Sequence, residues 1–467
     1  MTQFATATFP HFHEMLSGQD LRIPLRDGTT RRPINLDHAA STPPLRAVRV
    51  TVERFLDWYS SVHRGTGFTS QLATQAYEEA RTVVGRFVGA RDRQHTVIFG
   101  PNTTWALNKL ARRMAFAPGD VVISTTLEHH ANDLPWRQVA NLVYARCDNQ
   151  GRLDVAHVAE LLQRYAGRAR LLAVTGGSNV TGHLPDVHYL AALAHDVGAQ
   201  IVVDAAQLVP HRAIDIGDLR DPAHLDYIAF SGHKLYAPYG SGALVGRRDT
   251  FAAGAPDVVG GGTVRLVTPD HVEWAEAPAR DEAGTPNVVG AVALAAAVLE
   301  LERIGFAAIA AHEAALTARL LERLQCISGV QVYGDKSPAS AQQRLGVIPF
   351  AVADLDPRLV GAILSCDYGI AVRCGAFCAH PYVQRLIGQE AVCGSEQPSG
   401  LIRASLGLAT TTADIEDFAA ALTAIVGGSH RGDYLFDGAA GAYYPHDWRP
   451  DVTTAFSLGV AAASSYA

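Results

Sequence analysis

The chain has 467 residues, of which 48% are hydrophobic and 18% are charged, and its formal net charge is −7. This length favours two or more domains, and the composition is that of a globular protein. The mild negative charge gives no electrostatic reason to expect nucleic acid or an anionic membrane as a partner.

Signals for secretion or membrane insertion are weak. The opening segment lacks a continuous apolar stretch of the kind that secretory signals have. The longest apolar run covers residues 288–299, short of the roughly 20 residues that cross a bilayer, so it predicts a buried helix. Six scattered cysteines favour a cytoplasmic protein with reduced thiols. Cys374, Cys378 and His380 lie close together, but no second Cys/His pair at ligand spacing accompanies them, and we expect no metal site.

Strand and helix patterns alternate from about residue 95 onward. Apolar runs predict strands at 97–99, 120–123, 171–174, 201–203 and 227–230, and apolar residues recur at helical spacing between 107 and 114. This alternation predicts an α/β domain with a mostly parallel sheet.

The pattern changes at about residue 289. An Ala/Leu-rich helical stretch runs to about Leu324, followed by strand patterns at 329–333 and 345–351 and helix patterns at 357–366 and 412–426. These elements predict a second, smaller α+β domain. Residues after about 428 are rich in Gly, Tyr and His without clear periodicity, so the sequence leaves their role open.

Polar side chains follow four of the predicted strands, at 102–104, 128–130, 204 and 231–234. Ligands of open α/β sheets bind at the carboxyl ends of the strands. We therefore expect these loops to form one site.

Lys234 and Asp204 suit pyridoxal 5′-phosphate (PLP). A single loop lysine is usually a solvated charge, but here an acid ends a nearby apolar strand. The acid can keep the pyridine nitrogen protonated, and the lysine can form an imine and move a proton. Thr103 and Thr104 begin a predicted helix and suit a phosphate, although such residues are also ordinary helix caps. His129 can stack on a ring, although most loop histidines have no such role.

A larger set of stretches occurs in a specific order between about residues 35 and 426. They are NLDHAASTPP (35–44), SVHRGTGFTSQLAT (61–74), PNTTWALNKLA (101–111), EHHANDLPW (128–136), SNVTGHLPD (178–186), VDAAQ (203–207), SGHKLYAPYGSGALVG (231–246), GGGTV (260–264), EAGTPN (282–287), RCGAFCAHP (373–381) and RASLG (403–407). This ordered set resembles the class V aminotransferase group of PLP enzymes, and within it the cysteine desulfurase and selenocysteine lyase branch.

The resemblance implies an α/β fold of fold-type I, with a mostly parallel sheet in a large domain and a smaller α+β C-terminal domain. We expect an N-terminal segment at 1–34 that packs on the small domain, a PLP-binding domain at 35–288, a small domain at 289–428 and a tail at 429–467.

The resemblance also implies the residues that bind the cofactor. Lys234 carries PLP as a Schiff base, Asp204 pairs with the pyridinium nitrogen, and His129 stacks on the ring. Gln207 and Asn179 lie near the phenolic oxygen. The phosphate is held by Thr103, Thr104, Ser231 and His233, and by Thr285 of a neighbouring subunit in a homodimer.

The same resemblance implies the substrate-binding and reacting groups. Arg403 binds the substrate carboxylate, with Asn179 and Arg373 nearby, because a guanidinium makes two parallel hydrogen bonds to a carboxylate. Cys378 attacks the sulfur of the bound amino acid and leaves as a persulfide, with L-alanine as the other product. The substrate is then L-cysteine or a related sulfur or selenium amino acid, and a sulfur-acceptor protein is an expected partner.

The sequence also departs from this branch before the cysteine. Ala376 and Phe377 stand where two histidines are common, and a Phe-Cys pair resembles the molybdenum-cofactor sulfurases. We therefore expect a slow desulfurase. The open alternatives are a class V aminotransferase, epimerase or carbon–sulfur lyase for which Cys378 is incidental, and a non-catalytic protein with the same fold.

Overall fold

A computed structural model describes residues 12–148, 150–388, 400–429 and 433–458. Parts of the expected N-terminal segment and of the expected tail, at 1–11, 430–432 and 459–467, lie outside the described residues.

The helices occur throughout the described chain. They are α1 (Arg46–Leu56), α2 (Phe68–Phe87), α3 (Thr103–Arg113), α4 (Val155–Arg164), α5 (Val187–His195), α6 (Arg248–Ala252), α7 (Val288–Ile304), α8 (Phe306–Gln325), α9 (Pro357–Tyr368), α10 (His380–Ile387) and α11 (Thr412–Val426).

The strands include five that match the predicted apolar runs. They are β1 (Ile23–Pro24), β2 (Thr30–Arg31), β3 (Ile34–Asn35), β4 (His95–Gly100), β5 (Val121–Thr125), β6 (Asn141–Ala145), β7 (Ala169–Thr175), β8 (Gln200–Asp204), β9 (Tyr227–Ser231), β10 (Gly242–Arg247), β11 (Val264–Val267), β12 (Val272–Trp274), β13 (Val330–Val332), β14 (Val347–Val352), β15 (Ile370–Ala371), β16 (Arg373–Gly375), β17 (Leu401–Ser405), β18 (Tyr434–Asp437) and β19 (Ala442–Pro445).

A seven-stranded sheet has the order β4-β10-β9-β8-β7-β5-β6. Its neighbouring strands are parallel from β9 to β6, and β10 runs antiparallel to both β4 and β9. The expected mostly parallel sheet is therefore confirmed. Strand β10 begins at Gly242. Only glycine fits at this position, because a Cβ there would lie 2.6 Å from the Phe230 carbonyl oxygen and 2.9 Å from the Asn102 Cα.

A second sheet of four antiparallel strands has the order β13-β14-β17-β16. Helices α8, α9 and α11 supply much of the apolar cluster that packs with it. The polypeptide from β1 to β3 lies against this part of the chain: β3 pairs with β15, and the Arg31 Nη1 donates to the Tyr368 carbonyl at 2.8 Å. Residues 12–16 pack instead in the cluster around the seven-stranded sheet. The boundaries of the expected domains stay a prediction.

The helical stretch after residue 288 is divided into α7 and α8. Gly305 separates them with a φ of 89°, a conformation that side-chain-bearing residues rarely adopt. Most of α7 is buried, as the apolar run predicted. No helix within the described residues is long and apolar enough to cross a membrane.

The sequence after residue 428 contains a β-hairpin that its composition did not predict. Strands β18 and β19 pair antiparallel, and the Tyr434 hydroxyl donates to an Asp367 carboxylate oxygen at 3.0 Å. The Arg358 guanidinium lies 4.6 Å from the ring centre of Phe436. The hairpin therefore packs on α9.

Candidate active site

A cavity of about 460 Å³ opens at the carboxyl ends of the parallel strands. Every expected site residue except Thr285 lines this cavity: Thr103, Thr104, His129, Asn179, Asp204, Gln207, Ser231, His233, Lys234, Arg373, Cys378 and Arg403. Folding thus brings together side chains from both sheets and from residues 103 to 403.

Lys234 and Asp204 interact electrostatically inside the cavity. Burial lowers the pKa of the Lys234 ammonium to about 8, against the opposing effect of Asp204 and with a further lowering by Arg403. Burial raises the pKa of Asp204, which ends β8, and the positive charge of Lys234 opposes that rise. This cavity therefore holds an amine that can lose its proton near neutral pH and an acid placed to pair with a cation.

The start of α3 forms one wall of the cavity. The Asn102 side chain caps the helix by accepting from the Trp105 N–H at 2.9 Å. The Ser231 Oγ accepts from the Thr103 backbone N–H at 2.8 Å and lies 2.6 Å from the Thr103 Oγ1. Three hydroxyl groups, including that of Thr104, thus gather at a helix N-terminus, which favours an anion.

His129 and Gln207 have defined hydrogen bonds at the cavity wall. The His129 Nδ1 accepts from the Ala131 N–H at 3.0 Å. Burial lowers the pKa of His129 to about 3, with further lowering by Lys234, so its imidazole is neutral. The Gln207 Nε2 donates to the Ala39 carbonyl at 2.7 Å, which ties the loop after β8 to residues 37–40.

Arg403 is buried in β17. Its Nη1 donates to the Asn179 carbonyl at 2.9 Å, its Nη2 donates to an Asp37 carboxylate oxygen at 3.0 Å, and the guanidinium lies 5.0 Å from the ring centre of Phe377. The Nε is buried and has no hydrogen-bond partner within the described residues. Arg373 pairs with the other oxygen of Asp37 at 3.4 Å and is more exposed.

The two cysteines near Arg373 differ in environment. Cys378 is exposed and directly precedes the Ala379 N-cap of α10. The Cys374 Sγ donates to the Pro357 carbonyl at 3.1 Å, and burial raises the pKa of its thiol to about 12. Cys374 therefore has the less reactive environment of the two cysteines.

Sequence reasoning assigned no role to two acids at this site. Asp37 lies in the NLDHAASTPP stretch, but its pairing with Arg403 depends on the fold. Glu128 is buried and accepts from the Thr125 hydroxyl at 2.6 Å, the Asn132 side chain at 2.7 Å and the Thr175 N–H at 3.0 Å. Burial raises the pKa of Glu128 to about 8. Its position next to His129 is the one feature of the sequence that could have marked Glu128 as a site residue.

Thr285 lies outside this cavity. It is exposed and lines a second cavity together with His63 and Arg64. The segment at 63–65 therefore lies beside the loop at 282–287, which carries Thr285.

His195, His224 and Asp226 form a cluster at the opposite edge of the sheet, before β9. The two rings stack with centroids 4.2 Å apart, and their Nε2 atoms lie 2.9 and 3.3 Å from Asp226 oxygens. Asp226 also accepts from the Ile201 N–H and from Arg247. The carboxylate is thus surrounded by protein donors.

The family model of class-V aminotransferases matches residues 34–418. A cysteine desulfurase of Haloferax volcanii is 35% identical over 81% of this chain and 88% of its own length. A cysteine desulfurase of Dickeya dadantii is 35% identical over 89% of this chain and 94% of its own length. The chain belongs to the class V aminotransferase family.

Solved structures agree in fold. The apo structure of a cysteine desulfurase from Thermococcus onnurineus has a TM-score of 0.77 at 34% identity and covers 85% of this chain and 95% of its own. A cysteine desulfurase from Escherichia coli in an S-sulfonic acid form has a TM-score of 0.74 at 29% identity and covers 90% of this chain and 98% of its own. The fold is therefore the α/β fold of fold-type I.

Proposed function

We propose that this protein is a PLP-dependent cysteine desulfurase that converts L-cysteine to L-alanine and takes the sulfur onto Cys378. The main support is that one cavity holds the Lys234 and Asp204 pair, the buried guanidinium of Arg403 and the exposed Cys378. The similarity to cysteine desulfurases over most of the chain supports the same activity.

The donors in the cavity fit PLP. The helix start with the hydroxyls of Thr103, Thr104 and Ser231 suits its phosphate, and buried Asp204 suits its ring nitrogen. Neutral His129 suits the ring face, and Lys234 is the amine that would bind the cofactor. When bound, PLP stabilises negative charge at the substrate's α-carbon.

Arg403 is proposed to orient the substrate through its carboxylate. The buried Nε is a donor with no acceptor among the described residues, and an unpaired buried donor is costly. A carboxylate that reaches this Nε and shares the outer nitrogens with Asp37 would satisfy it. Lys234, with a pKa lowered to about 8, can take the α-proton and return it.

Cys378 is proposed to take the sulfur. Both Arg403 and Lys234 interact electrostatically with Cys378, so the cysteine lies near the residues that hold the substrate. Its thiolate forms a bond to the substrate sulfur as the bond from that sulfur to the β-carbon breaks. The carbon keeps the electron pair and takes a proton, which leaves L-alanine and a persulfide on Cys378. The thiolate is a soft nucleophile suited to this attack.

The proposal extends to assembly. We expect a homodimer in which Thr285 and the segment at 63–65 face the partner subunit, because they lie together at an exposed cavity away from Lys234. A separate sulfur-acceptor protein would collect the sulfur from Cys378, and the chain is expected to act in the cytoplasm.

The direct test compares Cys378→Ser with Cys374→Ser as the matched control. Both variants should retain PLP. With L-cysteine, Cys374→Ser should form alanine and persulfide as the parent does, whereas Cys378→Ser should form neither. Parental rates of sulfide and alanine release from Cys378→Ser would refute the mechanism. Pyruvate, a keto acid or an inverted amino acid from the parent would favour a lyase, aminotransferase or epimerase instead.

A further inference from the structure

The loop that carries Cys378 is held at two neighbouring carbonyl groups. The Asn179 Nδ2 donates to the Phe377 carbonyl at 2.7 Å, and the His130 backbone N–H donates to the Cys378 carbonyl at 2.8 Å. Asn179 follows β7 and His130 follows β5. The cysteine loop is thus tied to the carboxyl ends of two strands of the large sheet.

The backbone of this loop needs such contacts. Phe377 and Cys378 have φ values of 52° and 53°, in the left-handed region that residues with a Cβ rarely occupy. A strained conformation of this kind persists only when its surroundings hold it. Because Cys378 is exposed to solvent, packing of its side chain does not hold this conformation. The hydrogen bonds from Asn179 and His130 must therefore hold it.

A pair of histidine rings lies beside the His130 contact. The His130 Nε2 and the His380 Nδ1 are 3.1 Å apart, and the rings stack with centroids 4.8 Å apart and planes 11° apart. The His380 backbone N–H also approaches the His130 Nε2, at 3.4 Å. Because a backbone N–H can only donate, the His130 Nε2 is the acceptor, and the His380 Nδ1 carries the proton. Burial and the charge of His380 lower the pKa of His130, in keeping with this assignment.

We propose that His130 and His380 are positioning residues that hold the Cys378 loop in the conformation that accepts sulfur. His130 contacts the segment at the Cys378 carbonyl and, two residues later, at His380, so it holds both the reactive residue and the start of α10. His129 precedes His130 and lines the cofactor cavity, so one turn sets both the cavity wall and the cysteine loop. The inference rests on the function proposed above.

The histidine pair is relevant to the two residues before Cys378, which differ from those common in the family branch. Ala376 and Phe377 stand where two histidines are common in the branch that the chain resembles. Here imidazoles reach the cysteine loop from a strand-end turn and from the start of α10 instead. Their hydrogen bond supplies a restraint that Ala376 and Phe377 side chains lack the polar groups to provide.

The test uses His380→Ala, His380→Asn and, as a matched control, His446→Ala, which removes an exposed histidine beyond β19. An asparagine amide nitrogen can replace the Nδ1 donor but cannot titrate. The first readout is the rate at which iodoacetamide modifies Cys378 in the PLP-loaded protein without L-cysteine, followed by peptide mass spectrometry. The second is kcat and KM for L-cysteine.

His380→Ala should raise the Cys378 modification rate and lower kcat, each by about three- to tenfold, the range that one neutral hydrogen bond is worth. The KM should stay near the parental value, because Arg403 is unchanged. His380→Asn and His446→Ala should both match the parent within about twofold, below the effect expected for loss of one neutral hydrogen bond.

Two results would overturn the inference. One is a parental modification rate in His380→Ala, which would mean that the pair does not restrain the loop. The other is a defect in His380→Asn as large as that in His380→Ala, which would mean that the imidazole itself is required. If the parent forms no alanine from L-cysteine, the proposed function fails, yet the modification rates still report on the restraint.

Discussion

Arg403 offers a sharp test of the substrate-binding geometry. Replacing it with alanine removes a side chain that is 4% exposed and, in the proposed role, would leave the substrate carboxylate without its cationic partner. Loss of one member of a buried charge pair costs about 2–5 kcal/mol. The Arg403 Nη2 already donates to Asp37 at 3.0 Å, so only part of the guanidinium's hydrogen-bonding capacity is left for the substrate carboxylate. We therefore expect about 2–3 kcal/mol, a loss of affinity of roughly 30- to 150-fold.

The assay is a titration of the cofactor's absorbance with L-alanine, the proposed product, which has no sulfur to transfer. Arg403→Lys retains the charge but loses the Nε and the forked geometry, and should bind about tenfold more weakly than the parent. Arg373→Ala is the matched control. Its side chain is 53% exposed and lies 3.4 Å from Asp37, so its loss should change affinity by less than about fivefold.

Cofactor content and thermal stability must be measured beside affinity, because Arg403 also donates to the Asn179 carbonyl. The expected result is full PLP loading with weak binding of L-alanine. If Arg403→Ala binds L-alanine as tightly as the parent does, Arg403 does not bind the substrate carboxylate.

Three further outcomes are expected. Borohydride reduction followed by peptide mapping should place the cofactor adduct on Lys234, and an adduct on any other lysine would refute the site assignment. Sedimentation at micromolar concentration should show a homodimer, and Thr285→Ala should weaken PLP retention; an active monomer would contradict this assembly. Burial alone would lower the pKa of His195, but its hydrogen bonds to Asp226 and to a backbone carbonyl raise it. The stability that this pair contributes is therefore complete below about pH 6.5 and is lost as pH rises through the raised pKa. Urea unfolding should show that loss in the parent but not in Asp226→Asn; identical pH profiles would rule out the coupling.

Much of the large sheet could be read from local patterns. Strands β5, β7, β8 and β9 fall on the predicted apolar runs, because central parallel strands are buried on both faces and appear as continuous apolar segments. Strand β4, an edge strand antiparallel to β10, also falls on such a run, because it too is almost wholly buried. The polar residues that follow them line one cavity, because the carboxyl ends of parallel strands meet at one edge. The ordered motifs gave the family, which the family model matches.

Local patterns failed to predict elements whose boundaries or pairing depend on a single residue or on contacts with a distant part of the chain. Gly305 divides the helical stretch into α7 and α8 because its backbone takes a positive φ, which an Ala/Leu-rich pattern does not reveal. The hairpin of β18 and β19 has no clear alternation, and it is stabilised by contacts with α9, including those of Asp367 and Arg358.

The sequence alone determined the fold class, the family and most of the side chains that line the cavity, since these depend on local periodicity and on the order of motifs along one chain. Only the tertiary structure decided the partners of those side chains. Asp37 and Arg403 are 366 residues apart, and His130 and His380 are 250 apart. Contacts at such separations depend on how the two sheets pack, and no local spacing encodes that packing. The same reason explains why the pairing of Arg403 with Asp37 and the contacts that hold the Cys378 loop became visible only in the folded chain.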